Sequence, residues 1–176
     1  MLRRNAYPTT CRGSFNVART APAMLRSVPP LVPGLSALAT DYDVLISDVW
    51  GVVHNGLAAH PGACEALVEF RRGGGRVVLL TNAPRPSGPI HAQLASLGVP
   101  REAYDDLVTS GDVTRETLMA RPERRITHVG PDRDLPIYDG LPHRLVGDGE
   151  AEIIVCSGLV DDLPETPDDY RGRLAA

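Results

Sequence analysis

The chain has 176 residues, of which 43% are hydrophobic and 23% charged, a balance that suits one soluble globular domain of ordinary size. Its formal net charge of −4 argues against non-specific binding to nucleic acid. No run is apolar enough to span a membrane, no secretory signal core is visible, and aromatics at 5% leave Leu, Val, Ile and Ala to fill the core.

In chain order, the first segment differs chemically from the rest. Residues 1–40 hold Arg3, Arg4, Arg12, Arg19 and Arg26 and no acid, whereas the chain from Asp41 onward holds 13 arginines against 22 acids. An acid-free, Ser/Thr/Arg-rich head is the composition of an organellar transit peptide. The plainer expectation is an unstructured basic extension over 1–34 on a cytoplasmic protein. The proline-rich stretch 27–35 reads as a linker, and order is expected from about Leu35.

Tyr42–Ser47 is a short apolar run ending at Asp48, the signal of a buried strand. Pro61 opens a helix with Ala63, Ala66, Leu67 and Phe70 on one face, and Gly73, Gly74 and Gly75 stop it. That glycine triplet is no phosphate loop, because it precedes a strand and no Gly-Lys-Ser/Thr follows. Arg76–Leu80 is a second strand. Ser87 is expected to cap a second helix with the face Ile90, Leu94, Leu97 and a stop at Gly98. Asp106–Thr109 is a third strand, followed by a third helix from about Asp112 with Val113 and Leu118 inward. Strand–helix alternation of this kind implies a parallel sheet with helices on both faces.

From Ile126 the pattern changes. Ile126–Val129, Arg144–Val146 and Glu152–Cys156 read as strands between Gly/Pro/Asp loops, the start of a second, smaller unit. The three cysteines (Cys11, Cys64, Cys156) form no CxxC pair, which fits a reducing compartment without a disulfide framework or zinc site. Cys64 and Cys156 lie in apolar segments and are expected to pack as small hydrophobes. No lysine occurs anywhere: all 18 basic residues are arginine.

In an open parallel sheet, sites form beyond the carboxyl ends of the strands. Asp48 ends the first strand and Thr81-Asn82 the second. On neighbouring strands, about 5 Å apart, this carboxylate and this hydroxyl would share one rim. There they would serve a phosphoryl group and a metal, or else cap a turn and bond to backbone.

The pair is more specific in context. The runs "VLISDVWGVVHNG" (44–56) and "VVLLTNAPRP" (77–86), with an amphipathic helix between them, resemble the haloacid dehalogenase superfamily, in particular its class IIA hydrolases. The resemblance continues through "LVTSGDVT" (107–114) and, more weakly, "EIIVCSGLVDDLPETPDDY" (152–170). It implies an α/β fold: an incomplete three-layer Rossmann-like core with a parallel sheet over 35–122, and over 123–176 the beginning of an inserted α/β cap. It implies Asp48 as the nucleophile that forms an aspartyl-phosphate and ligates Mg²⁺. The Trp50 carbonyl would be a second metal ligand. Thr81 would hold a phosphate oxygen with the Asn82 backbone N–H beside it. A small phosphorylated metabolite is the implied substrate.

The sequence departs from the phosphatase pattern at three points. Trp50 stands where the phosphatases carry an acid that serves as general acid and base. The lysine of the third motif has no counterpart. The late acidic motif is not found in its place. Gly147-Asp148 with Glu152, and Asp161-Asp162, mimic that motif, either as a compact metal site or as a solvated loop and turn. His54 would replace the missing acid/base, or would bond to its own loop. Arg85 would greet an anionic substrate, or would be a solvated loop arginine. Truncation within the cap is the simplest account of the last two departures, because family members continue into the region where the lysine and the acidic motif lie; Trp50 is not explained by it. Truncation would leave strand Val44–Ser47 as an open apolar edge that a second copy of the chain would cover.

Overall fold

A computed structural model describes residues 31–161 and 163–175, together with the backbone of Leu2–Arg3. The expectations for the rest of the basic head, and for Cys11 and Asp162, lie outside the described residues. The described end of the linker leads into a 3-10 turn at Leu35–Ala37.

The first sheet has the order β1-β2-β3-β4. The strands β2 (Tyr42–Asp48), β3 (Arg76–Thr81) and β4 (Asp106–Thr109) run parallel, with Ser47 opposite Leu79 and Thr81 opposite Thr109. The edge of β2 is not open along its whole length. The dipeptide β1 (Leu2–Arg3) pairs with it antiparallel, Leu2 with Val44 and Arg3 with Tyr42.

Alternation along the strands sends Val77, Leu79 and Leu107 to one face, where all three are buried. There they meet Leu67 and Phe70 of α1 (Pro61–Arg72) and Ile90 and Leu94 of α2 (Ser87–Ser96) in one core. Pro61 supplies the preset φ of a first helical position. The glycine triplet ends α1 as expected: Gly74 takes φ +90°, and a Cβ on Gly75 would stand 2.3 Å from the buried Phe70 ring. Arg71 of α1 donates to both carboxylate oxygens of Asp105, at 3.0 and 2.7 Å. That guanidinium, with the Val77 N–H at 2.7 Å, holds the Asp105 carboxyl below its ordinary value despite partial burial.

The opposite face of the sheet is largely bare, with Ile46 and Leu80 about half exposed. Expectation and structure differ here over α3 (Ser110–Met119), which starts two residues earlier than Asp112 because Thr109 caps it, accepting the Asp112 N–H at 3.0 Å. Val113 is exposed rather than inward, since among the described residues no layer covers that side of the sheet. Leu118 is buried, and its neighbours belong to the second unit: Ile126 of its sheet, and Ile137 and Tyr138 of the 3-10 helix Asp132–Tyr138. Arg115 of α3 fastens the same region by donating to the carbonyls of Ile137 and Asp139 at 2.6 and 2.8 Å. Ser87 is another correction. It is the first residue of α2 and its side chain makes no cap; its backbone N–H is instead accepted by Asp112 at 3.0 Å.

The second sheet has the order β6-β5-β7, all parallel: β5 (Arg125–Val129), β6 (Arg144–Leu145) and β7 (Ile153–Cys156). Glu152 falls just before β7 because its carboxylate accepts the backbone N–H groups of Arg124 and Arg125. Cys64 packs in the core as expected, but Cys156 is exposed. Alternation turns Ile153 and Val155 toward Ile126 and so sends Cys156 to the other face. The final helix α4 (Pro167–Leu174) begins with a reciprocal capping box between Thr166 and Asp169. Among the described residues no helix is long and apolar enough to cross a membrane.

Candidate active site

The parallel register sets Asp48 opposite Leu80, so Thr81 lies one residue further along the neighbouring strand. Asp48, Thr81 and Asn82 therefore line one cleft of about 680 Å³, over the bare face of the sheet. Its floor is apolar (Ile46, Leu80, Val108) and its far wall is the start of α3.

One oxygen of Asp48 accepts the Val49 N–H at 2.7 Å, which fixes the carboxylate at the strand end. Thr81 Oγ1 accepts the Ala83 N–H at 3.3 Å. The loop after Thr81 is strapped to α3. Ser110 Oγ lies 3.0 Å from the carbonyls of Asn82 and Ala83, and the Gly111 N–H donates to Ala83 at 3.2 Å. Backbone approaches backbone so closely that a Cβ on Gly111 would sit 2.4 Å from the Arg85 carbonyl. Ser110 and Gly111 thus shape the loop that carries Thr81 and Asn82, a role not evident from their place in "LVTSGDVT". The available signal was the Thr109-x-x-Asp112 spacing, a helix start directly after a strand.

Trp50 does not line this cleft. It is 68% exposed in the turn made by Gly51, whose φ is +78°. His54 is 4% exposed and its Nδ1 accepts the Gly56 N–H at 3.0 Å. Burial, and then the neighbouring His60, lowers its pKa, so the ring is neutral at pH 7 and holds its own loop.

Among the described residues the acidic mimics form no metal site. Asp148 accepts from Thr127 Oγ1 at 2.6 Å and from Arg173 at 2.8 and 3.0 Å, clasping α4 to the second sheet. Arg173 and then Thr127 hold its pKa at about 2. A depressed value means the clasp is complete above the ordinary carboxyl range of about 4 and is lost as pH falls through about 2. The Arg173 side-chain N–H resonance should therefore keep its position from neutrality down to about pH 3 and then move, with its midpoint at about 2. In Asp148→Asn no such acid transition is expected. Glu152 is engaged by Arg124 and Arg125, and Asp161 accepts the Leu163 N–H at 3.1 Å.

Among the described residues no three His, Cys, Asp or Glu side chains cluster as a metal site. Among the described residues Asp48 is the one carboxylate lining the cleft, and the side chains beside it that carry donor atoms (Thr81, Asn82, Thr109, Ser110, Thr114) all offer oxygen. That set suits a hard cation such as Mg²⁺, which binds through one or two carboxylates and completes its shell with water and phosphate oxygens.

Residues 45–141 match the haloacid dehalogenase-like hydrolase family. A hydrolase of that family from Brucella suis 1330 is 49% identical, with a TM-score of 0.75 over 82% of this chain and 56% of its own. The glycerol phosphate phosphatase from Mycobacterium tuberculosis, crystallised with magnesium, is 25% identical, with a TM-score of 0.53 over 76% of this chain and 40% of its own. The 4-nitrophenylphosphatase from Thermotoga maritima shares the fold at 23% identity, with a TM-score of 0.56 over 76% of this chain and 50% of its own. The chain thus spans about half the length of these solved structures. No curated protein matches it. With Asp48 and Thr81 at adjacent strand ends and more than half of the sequence matched, the chain belongs to the haloacid dehalogenase-like hydrolase family, as its class IIA motifs implied.

Proposed function

We propose that this chain carries the nucleophile half of a phosphate-ester hydrolase of the class IIA type. The observation that carries the reading is the pairing of Asp48 with Thr81 at the carboxyl ends of adjacent parallel strands, in one cleft. Asp48 would attack phosphorus, the bond from phosphorus to the ester oxygen would break, and water would later release phosphate from the aspartyl group. Thr81 Oγ–H and the Asn82 backbone N–H would hold the non-bridging oxygens as charge builds on them. A magnesium ion held by the Asp48 carboxylate and the Trp50 carbonyl would neutralise the phosphate charge.

The leaving alcohol needs a proton that Trp50 cannot supply and that His54, tied to Gly56, is not placed to give. General acid help is worth about 10²–10⁴-fold in rate. Residues 1–176 alone should therefore turn over slowly at best and should favour esters of acidic alcohols. The family's lysine role has no candidate, because the sequence contains no lysine. Residues 35–122 would form the core portion and 123–176 the start of a cap. The substrate would be a small phosphorylated metabolite, met in the cytoplasm.

A second reading, a non-catalytic metal- or phosphate-binding module, is favoured by the lone carboxylate of the cleft. Beryllium trifluoride, a mimic of an aspartyl-bound phosphoryl group, separates these readings from neither being true. The phosphate reading expects Mg²⁺-dependent binding by fluorine NMR, abolished in Asp48→Asn. No bound signal in the wild-type chain would contradict both.

A further inference from the structure

The second sheet reverses its strand order at β5, with β6 on one side and β7 on the other. In open parallel sheets ligands bind beyond the carboxyl ends at such a point. Those ends are Val129 and Cys156, paired in register. The residues beyond them face the loop after β3 across a cavity of about 410 Å³. Two arginines line it, Arg85 from the first sheet's loop and Arg133 from the second's. Arg85 is half-buried and directs one N–H to Gln93 Oε1 at 3.1 Å. Arg133 is exposed and its side chain makes no hydrogen bond or ion pair among the described residues. The one carboxylate lining the cavity, Asp134, is 3% exposed and accepts the Ser157 hydroxyl at 2.8 Å. Positive charge is therefore in excess. Asn82 lines both this cavity and the Asp48–Thr81 cleft, so the two adjoin at that residue.

We infer that the cavity receives a second anionic group, a carboxylate or a phosphate, carried on the alcohol portion of the phosphate ester and held by Arg85 and Arg133. The inference rests on the phosphate-ester reading above. With the ester phosphorus at Asp48, the alcohol passes Asn82 and brings its far end between the two guanidiniums. Their paired N–H groups match the oxygens of either anion.

Calorimetry on the full chain with Mg²⁺ tests this with four probes: inorganic phosphate, glycerol 3-phosphate, 3-phosphoglycerate and 2,3-bisphosphoglycerate. A charge-assisted contact is expected to make at least one of the last two bind about tenfold or more tightly than glycerol 3-phosphate. Preference between them tells a carboxylate from a second phosphate. The double variant Arg85→Ala/Arg133→Ala should lose that gain and keep its affinity for inorganic phosphate, which also shows that it folds. Equal affinity of the three esters, with inorganic phosphate bound normally, overturns this inference and leaves the phosphate-ester reading standing. Equal loss of all four probes in the double variant overturns it too. Absence of phosphate binding in the wild-type chain overturns both.

Discussion

Gly111→Ala should lower the melting temperature and weaken phosphate-mimic binding together. The added Cβ would stand 2.4 Å from the Arg85 carbonyl, a backbone atom that can retreat only if the whole loop from Thr81 moves. Overpacking of this kind costs about 1–3 kcal/mol. Alanine's better helix propensity returns less than that, about 1 kcal/mol. The damage falls on function because the displaced loop carries Thr81 and Asn82. Gly62→Ala serves as the control. It lies in the first turn of α1 with nothing within 4 Å of the new Cβ, and should stabilise slightly, by about 0.4–1 kcal/mol. A Gly111→Ala chain that melts and binds like wild type would mean that the loop and α3 are not in close backbone contact.

Leu79→Ala should cost about 2–5 kcal/mol in urea unfolding, because its side chain is fully buried among α1 and α2 and leaves a cavity. Its neighbour Leu80 points the other way and is 49% exposed on the cleft floor. Leu80→Ala should cost well under half as much, since less area leaves water on folding. Similar losses for the two would contradict a sheet packed on one face and open on the other.

These two positions also show how far the sequence could be read. Strand positions and strand ends were legible because a short apolar run bounded by Asp, Gly or Pro has few alternatives, as at Asp106–Thr109, and the Pro61–Arg72 helix was legible between its proline and its glycines. Asp48 and Thr81 were legible as a pair for the same reason, once adjacent parallel strands were assumed. What failed depended on partners distant in sequence. Val113 has the right helical spacing to face inward, yet no described element covers the sheet face above it. Cys156 lies in an apolar run, but which face of β7 packs is decided by Ile126, 30 residues earlier. Asp148 has the spacing of a metal motif and is instead neutralised by Arg173. Ser87 lost its capping role to Asp112, 25 residues away. Arg133 carries no local signal at all; only the meeting of two sheets gives it a neighbour across the cavity in Arg85.

The central claim is that Asp48 is a phosphoryl acceptor, and covalent labelling tests it most directly. The wild-type chain would be incubated with acetyl phosphate and Mg²⁺, trapped with borohydride and mapped by peptide mass spectrometry. The account expects modification at Asp48 and none in Asp48→Asn. Modification at another carboxylate, or none at all while beryllium trifluoride still binds, would contradict a nucleophilic Asp48 and leave the chain as a binding module.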